Sequence, residues 1–350
     1  MILTAMTQNR DLDCPPGFAR EVSSASCSTT TNFLSPERVM YKEHVITAVL
    51  PGYNEANHIA QVIQTMPEFV DNIVVVDDCS EDATVEVANG AGDARLTVLS
   101  TSYNQGVGGA MLIGYRRALE LNSGIVVKMD ADGQMDPAYL SSLLDAIIEQ
   151  GYDYAKGNRF LAGESLAQMP THRLLGNVAL TFLTKLASGY WHIFDPQNGY
   201  TAIKTGALQV LDLNRIHKRF FFENDMLVHL NYFGFRVKDV AMPAQYGDEE
   251  SHLNVFGVGV TFPFLLLRRF VRRIYQKYIL RDFSPIALFL FLGMLLFGWG
   301  AGFGVYLWVR AIVTGVPTPT GTIMLSLLPL ILGFQLLLQA IVLDIQETPK

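Results

Sequence analysis

The chain has 350 residues, with 33 Asp plus Glu against 26 Lys plus Arg, and a formal net charge of −7. Half of it (50%) is hydrophobic and only 17% is charged, which excludes a wholly disordered chain, since disorder needs low hydrophobicity and high charge density. The acidic balance argues against nucleic acid as a partner, and the length suits two domains or one large domain with an appendage.

Residues 1–43 contain the run SSASCSTTT and Pro15-Pro16-Gly17 but no apolar core of a signal peptide. They are expected to form a disordered tail. The cysteines are Cys14, Cys27 and Cys79, with no CxxC pairing and no His at zinc spacing. Neither a disulfide framework nor a zinc site is expected, and a reducing, cytosol-facing compartment fits. No segment repeats at a fixed period.

From Val45 to about Tyr246, short β-branched runs alternate with helical patterns. Strands are expected at 46–51, 72–78, 96–100 and 124–130, and helices at 57–66, 82–89 and 108–121. Continuous apolar strands spaced by helices predict a parallel sheet covered on both faces. Ligands of such sheets bind outside the carboxyl ends of the strands, and the polar clusters fall there. PGYNEA closes the first strand, DDCSED the second, SYNQGVGG the third and DADGQ the fourth.

Arg268, Arg269, Arg272, Arg273, Lys277 and Arg281 follow, with Phe270, Val271, Ile274, Tyr275 and Tyr278 between them. This spacing suits an amphipathic helix lying beside anionic headgroups. No residue from Phe283 to Val309 is charged, and none from Ala311 to Leu343. Pro317, Pro319 and Gly321 mark a turn in the second run. Each apolar segment exceeds the ~20 residues that a helix needs to cross ~30 Å of hydrocarbon. Two crossings form a hairpin, and the basic flank is expected on the cytoplasmic side, so the preceding domain and both termini are expected to be cytosolic. Neither apolar run carries the charges that mark a transport pathway.

Asp130 and Asp132 form an Asp-x-Asp pair after an apolar strand. Alternation along a strand sends i and i+2 the same way, so two carboxylates can share one cation. Hard oxygen ligands suit Mg²⁺ or Mn²⁺, which bridge nucleotide phosphates, and Gln134 adds a neutral oxygen. Asp136-Pro137 reads as a helix N-cap with proline at the first helical position. Glu55 and Asp78 end earlier strands on the same edge, where a carboxylate accepts from a base N–H or a ribose hydroxyl; turn chemistry is the other reading for Asp77, Asp78 and Ser80. Asp82 fits an N-cap. Gly106, Gly108 and Gly109 match no phosphate-loop pattern and read as a turn and helix start that lets the backbone come close to a nucleotide.

PGYNEA, VVVDDCSEDAT, NQGVGGA and MDADGQMDP, in this order and spacing, resemble family 2 glycosyltransferases of GT-A fold, above all dolichol-phosphate mannose synthase and the bacterial polyprenyl-phosphate sugar transferases. The resemblance covers about residues 44–250, and the membrane hairpin is similar to the bacterial branch. It implies a Rossmann-like, mostly parallel α/β domain at 44–250, a juxtamembrane amphipathic region at 251–283, and transmembrane helices at 284–310 and 321–343. It implies a metal-dependent, inverting transfer of a hexose from a UDP-sugar or GDP-mannose to polyprenyl phosphate at the cytosolic face of a cell membrane. The nucleotide-binding residues would be Pro51, Gly52 (usually Ala in the family), Tyr53, Glu55, Asp77, Asp78, Asp130 and Ala131, and the Mg²⁺ or Mn²⁺ ligands Asp130, Asp132 and Gln134.

The catalytic group implied by the resemblance is Asp132, Arg159, Arg173, Glu223 and Asp225. GNRF (157–160) is similar to the segment whose Arg meets phosphate, and Arg173 falls where relatives place a second acceptor-side Arg. DPQNGY (195–200) and FFFENDM (220–226) resemble acceptor-side segments. Mannose synthases carry basic residues where this chain reads AQYGDEES, with Gln245, Asp248 and Glu249, so mannose specificity does not carry over. A lipid phosphate has a second pKa of ~6 and is already a nucleophile at pH 7, so Glu223 and Asp225 are expected to orient sugar or acceptor loop and not to serve as obligatory bases. The alternatives are a membrane-anchored transferase acting on a sugar hydroxyl and, further off, a non-catalytic nucleotide-sugar-binding module. A processive synthase is disfavoured because Trp191, Trp299 and Trp308 lie in no Gln-x-x-Arg-Trp element. The partners expected are the donor, the lipid acceptor and the membrane, with room for a homo-oligomer and none for nucleic acid.

Overall fold

The computed structural model describes residues 40–161, 171–243, 255–281 and 284–349. The expected tail up to residue 39 and the departure at Gln245, Asp248 and Glu249 lie outside the described residues. The chain divides into two compact units, Met1–Thr171 with Phe194–Met226 and Phe235–His252, and His172–Ile193 with Leu227–Gly234 and Leu253–Lys350.

In chain order the elements are β1 (Ile46–Gly52), α1 (Ile59–Gln64), β2 (Asn72–Asp77), α2 (Thr84–Gly90), β3 (Leu96–Ser100), α3 (Val107–Glu120), β4 (Ile125–Lys128), α4 (Leu140–Ile148), β5 (Tyr154–Asn158), α5 (Thr171–Ser188), β6 (Thr201–Lys204), α6 (Thr205–Val210), α7 (Phe222–Tyr232), β7 (Val237–Ala241), α8 (Val255–Tyr275), α9 (Pro285–Thr314) and α10 (Thr320–Gln346). The strands form one seven-stranded sheet in the order β3-β2-β1-β4-β6-β5-β7. β1 pairs in parallel with β2 and β4, β2 with β3, and β5 with β7, while β6 runs antiparallel to β4 and β5. Every residue of β1 is buried, as a strand covered on both faces requires. Side chains such as Leu50, Ile73, Val75 and Val127 are wholly buried in the core, each contributing ~1.5–3 kcal/mol.

Packing begins inside the stretch expected as tail. Tyr41 Oη donates to Asp145 Oδ1 at 2.7 Å, and Lys42 pairs with Asp145 and Glu149. Cys79 is disulfide-bonded, which corrects the expectation of no disulfide framework.

In the second unit, α9 starts at Ser284, which caps Ile286 N, and Pro285; it ends at Gly315, left-handed at φ 65°. Both α9 and α10 are long and apolar enough to cross a membrane, at 30 and 27 residues and a mean hydropathy of 2.1 each. They pack through glycines: a Cβ at Gly300 would stand 2.5 Å from Leu330 N, and one at Gly293 3.1 Å from the Gly333 carbonyl. Both helices extend past the uncharged runs, so α9 includes Arg310 and α10 Asp344.

The expected row of headgroup-facing cations needs correction. Arg273 is wholly buried. Its guanidinium meets Asp344 Oδ1 and Oδ2 at 2.7 and 2.9 Å and donates to the carbonyls of Leu186 and Ala187. Tyr278 Oη and Trp191 Nε1 complete the shell of Asp344 at 2.6 and 3.1 Å. Lys277 donates to Asn231 and Arg281 to the Tyr232 carbonyl. The helical spacing of these cations is as read, and a π-helical turn follows α8 at Gln276–Arg281; Arg281 is exposed and Lys277 half-exposed, so Arg273 is the cation that leaves the row.

Candidate active site

The carboxyl ends of β1, β2 and β4 converge through their registers: Gly52 stands opposite Asp77 and Val49 opposite Lys128. Continuing the second ladder sets Pro51 level with Asp130. A Cβ at Gly52 would come within 3.3 Å of the Ala131 Cβ, so a small residue belongs at 52. Tyr53 is exposed at this corner, and Glu55 Oε2 lies 3.1 Å from His58 Nδ1.

Asp77 and Asp78 are both buried. Asp78 accepts from Gln105 N, Gly106 N and Thr101 Oγ1 at 2.8, 2.6 and 3.1 Å. Burial still prevails over these bonds and raises its carboxyl above the usual range. The carboxylate thus ties the loop after β3 to the end of β2. The glycines there form the turn and helix start read from sequence, with Gly106 at φ 81° before α3, and they also pack against the chain itself. Gly109 N donates to the Lys218 carbonyl at 2.7 Å, and a Cβ at Gly108 would fall 2.6 Å from the His217 carbonyl. Their close approach is to the chain's own 217–219 segment. Asp136 caps Pro137–Tyr139 through Ala138 N, as read from sequence; Asp82 accepts from Thr84 N and Ala56 N but stands one residue before the N-cap of α2, which is Ala83.

A cavity of about 170 Å³ brings together Asp130, Asp132, Gln134, Arg159 and Gln197–Tyr200, with Met135, Tyr139, Met242 and Pro243 as apolar wall. The Asp-x-Asp-x-Gln, GNRF and DPQNGY segments therefore share one site. Asp132 Oδ1 accepts from Gln134 N at 2.9 Å. Among the described residues no three His, Cys, Asp or Glu side chains gather as a self-sufficient metal site. The oxygen-only set of Asp130, Asp132 and Gln134 instead fits a hard divalent cation that takes its remaining ligands from a bound phosphate.

Arg159 is clamped by Asp195. Its Nε and Nη2 donate to Asp195 Oδ2 and Oδ1 at 2.8 and 3.1 Å, while its backbone N reaches Oδ2 at 3.3 Å. Burial alone would raise the Asp195 carboxyl, but the Arg159 hydrogen bonds and the charges of Lys156 and Arg159 hold it below the usual range. Lys156, buried in β5, donates to the Asp195 carbonyl; desolvation outweighs Asp239 and Asp195 and pulls its pKa down.

Glu223 and Asp225 open α7. Asp225 is fully buried and accepts from His217 N at 2.8 Å, which orders the loop before the helix. Glu223 Oε1 lies 3.2 Å from the Nζ of Lys128, a buried lysine that also meets Asp130 Oδ1 at 2.7 Å. Burial raises the Glu223 carboxyl, with Lys128 opposing. On Lys128 itself burial is outweighed by Asp130 and Glu223, so its pKa rises. Arg173 falls on α5, and its side chain lies outside the described residues. Lys128 was missed in the sequence, where its signal was a charge inside the otherwise apolar IVVKM, and Asp195 was read only as the start of DPQNGY, without its tie to Arg159.

The family described as Glycosyl transferase family 2 matches residues 47–211. The chain is 31% identical over 193 residues to the UDP-N-acetylglucosamine–dolichyl-phosphate N-acetylglucosaminyltransferase of Methanococcus voltae, covering 51% of this chain and 76% of that protein. It is 30% identical over 200 residues to the undecaprenyl-phosphate mannosyltransferase of Micrococcus luteus, covering 56% and 81%. The structure of glucosyl-3-phosphoglycerate synthase from Mycobacterium tuberculosis, in complex with Mn²⁺, UDP and glucosyl-3-phosphoglycerate, superposes with a TM-score of 0.50 at 20% identity over 66% of this chain and 80% of that one; this likeness concerns the fold. With the strand-end motifs gathered on one edge of a mostly parallel sheet, the chain is a glycosyltransferase and belongs to glycosyltransferase family 2.

Proposed function

We propose that this chain moves a hexose, with inversion, from a nucleotide-sugar to a polyprenyl phosphate at the cytosolic face of a membrane, with a divalent cation at Asp130, Asp132 and Gln134. The observation that carries the reading is a cavity combining the Asp-x-Asp carboxylates with a clamped arginine, Arg159, while the acceptor-side carboxylates are committed elsewhere. Glu223 is paired with Lys128 and Asp225 with the 217 backbone. A sugar hydroxyl must lose a proton as it attacks, whereas a lipid phosphate need not. The names of the relatives from Methanococcus voltae and Micrococcus luteus, both sugar transferases to polyprenyl-type phosphates, and two helices fit to cross a membrane support the same acceptor.

In this reading Pro51, Gly52, Tyr53, Glu55, Asp77 and Ala131 form the nucleoside corner, and Asp78 shapes it by holding the loop after β3. Arg159, held flat by Asp195, presents its guanidinium to the acceptor phosphate, and Arg173 is a second candidate. A phosphate oxygen bonds to the anomeric carbon as the bond to the donor diphosphate breaks, and the electron pair leaves with the nucleoside diphosphate. The cation, when bound, neutralises charge developing on that leaving group.

The test uses the full chain in detergent with radiolabelled UDP-glucose, UDP-galactose, UDP-N-acetylglucosamine or GDP-mannose, polyprenyl phosphate and Mn²⁺, followed by lipid extraction. Metal-dependent label in the lipid is expected with one donor. Transfer only to sugar hydroxyls, or undiminished transfer in EDTA, overturns the reading. Reporters after Lys350 and near Thr318 are expected on the cytosolic and opposite sides; the reverse result inverts the topology.

A further inference from the structure

Lys128 stands in the middle of the sheet, on a strand whose neighbours Val126 and Val127 are wholly buried, and is itself only 1% exposed. Placing an ammonium there carries a large desolvation cost, tolerated when close counter-charges compensate. It has Asp130 on one side at 2.7 Å and Glu223 on the other at 3.2 Å. Its third side is closed by Gly199, where even a Cβ would fall on Lys128 Nζ and lie 2.8 Å from Asp130 Oδ2. The ammonium is therefore closed off from solvent and sits beside Asp130.

We propose that Lys128 is a positioning residue that makes the cation site depend on the donor's diphosphate. The inference rests on the cation site of the proposed function and specifies how that site fills. A bare divalent cation approaching Asp130 meets a carboxylate already neutralised by an ammonium. It also gains a like charge as a near neighbour in a medium of low dielectric. A nucleoside diphosphate brings negative charge that offsets both cations at once. Metal and nucleotide then bind cooperatively, and reciprocity requires each to tighten the other by one factor. Glu223 moderates the effect by sharing the ammonium with Asp130.

The experiment measures Mn²⁺ binding to the full chain by electron paramagnetic resonance, alone and with saturating UDP or GDP, in wild type, Lys128→Met and Glu223→Gln. Wild type is expected to bind Mn²⁺ weakly alone and at least ~10-fold tighter with the matching nucleotide. Lys128→Met should tighten binding of Mn²⁺ alone by about 10-fold or more and shrink the nucleotide's enhancement by the same factor. Glu223→Gln, which leaves the ammonium to Asp130 alone, should weaken binding of Mn²⁺ alone. Because Lys128→Met strands a buried carboxylate, the charge-matched Lys128→Met/Glu223→Gln variant is measured as well and should reproduce the tightening. Unchanged or weaker binding of Mn²⁺ alone in both Lys128 variants overturns the inference and leaves the transferase reading intact. Wild type that binds no Mn²⁺ even with either nucleotide overturns both.

Discussion

Replacing Asp195 by Asn removes a charge and keeps a shape. In the native site Asp195, 4% exposed at its side chain, accepts two hydrogen bonds of 2.8 and 3.1 Å from Arg159. An amide accepts through only one oxygen and holds no charge, so at least one charge-assisted bond is lost, worth ~1.5–3 kcal/mol. At 1.36 kcal/mol per tenfold, the loss is a roughly 10- to 150-fold fall in kcat/KM. It should appear in the KM for polyprenyl phosphate, because the proposed function sets the guanidinium that Asp195 orients against the acceptor phosphate, while the donor KM stays within about twofold. Steady-state kinetics with each substrate varied separately give the split. A fall below about threefold, or an equal rise in the donor KM, refutes the clamp. A pH series adds an independent check. The Asp195 carboxyl is held below its ordinary value in the folded state, so its stabilisation is complete above the unfolded value of ~3.9 and disappears as pH falls through the folded one. The stability gap between wild type and Asp195→Asn should therefore be full at neutral pH and close only in strong acid.

Further outcomes can be measured alongside. Asp132→Asn should abolish turnover with an unchanged circular dichroism spectrum, and activity near wild type would remove Asp132 from the cation site. Asp225→Asn should retain measurable transfer while Arg159→Ala loses far more, mainly in acceptor KM; a dead Asp225→Asn with a preferred sugar hydroxyl would point to a general base. Asp344→Asn strands the buried Arg273 and should cost ~3–5 kcal/mol, read as a lower melting temperature in detergent, with Arg273→Met/Asp344→Leu recovering most of it; a double variant as weak as the single one contradicts the account. Gly300→Leu, placed where even a Cβ meets the Leu330 backbone, should separate α9 from α10, which distance measurements between spin labels on the two helices can follow.

The parallel half of the sheet was legible because its strands are apolar and end in distinctive turns: ITAVLP, NIVVVDD and LTVLS fall within a residue or two of β1, β2 and β3. β5, β6 and β7 were not, since YAKGN, TAIK and VKDVA are short and carry lysines. Strand periodicity cannot distinguish a lysine that faces water from one such as Lys156 that is sealed among carboxylates. The site followed the same division. Asp130, Asp132, Gln134 and Arg159 sit in motifs and converge as read, whereas Asp78 and the glycines of the loop after β3 act through partners distant in sequence. Asp344, 71 residues beyond Arg273, is invisible to any window that stops at the last apolar turn of α10.

The burial of Arg273 bears on which bilayers suit the membrane anchoring proposed above. Each Lys or Arg near an anionic surface contributes ~1 kcal/mol of attraction. The full basic row would imply about 6 kcal/mol of preference for negatively charged lipid, roughly four orders of magnitude in partitioning. Arg273 is committed to Asp344, while Arg268 and Arg281 are exposed and Arg269, Arg272 and Lys277 half-exposed. The preference then falls by about 1 kcal/mol, roughly fivefold in partitioning. In the proposed anchoring the apolar length of α9 and α10 acts beside the remaining cations, so reconstitution should succeed in zwitterionic vesicles and in salt high enough to strip a purely electrostatic binder from the surface.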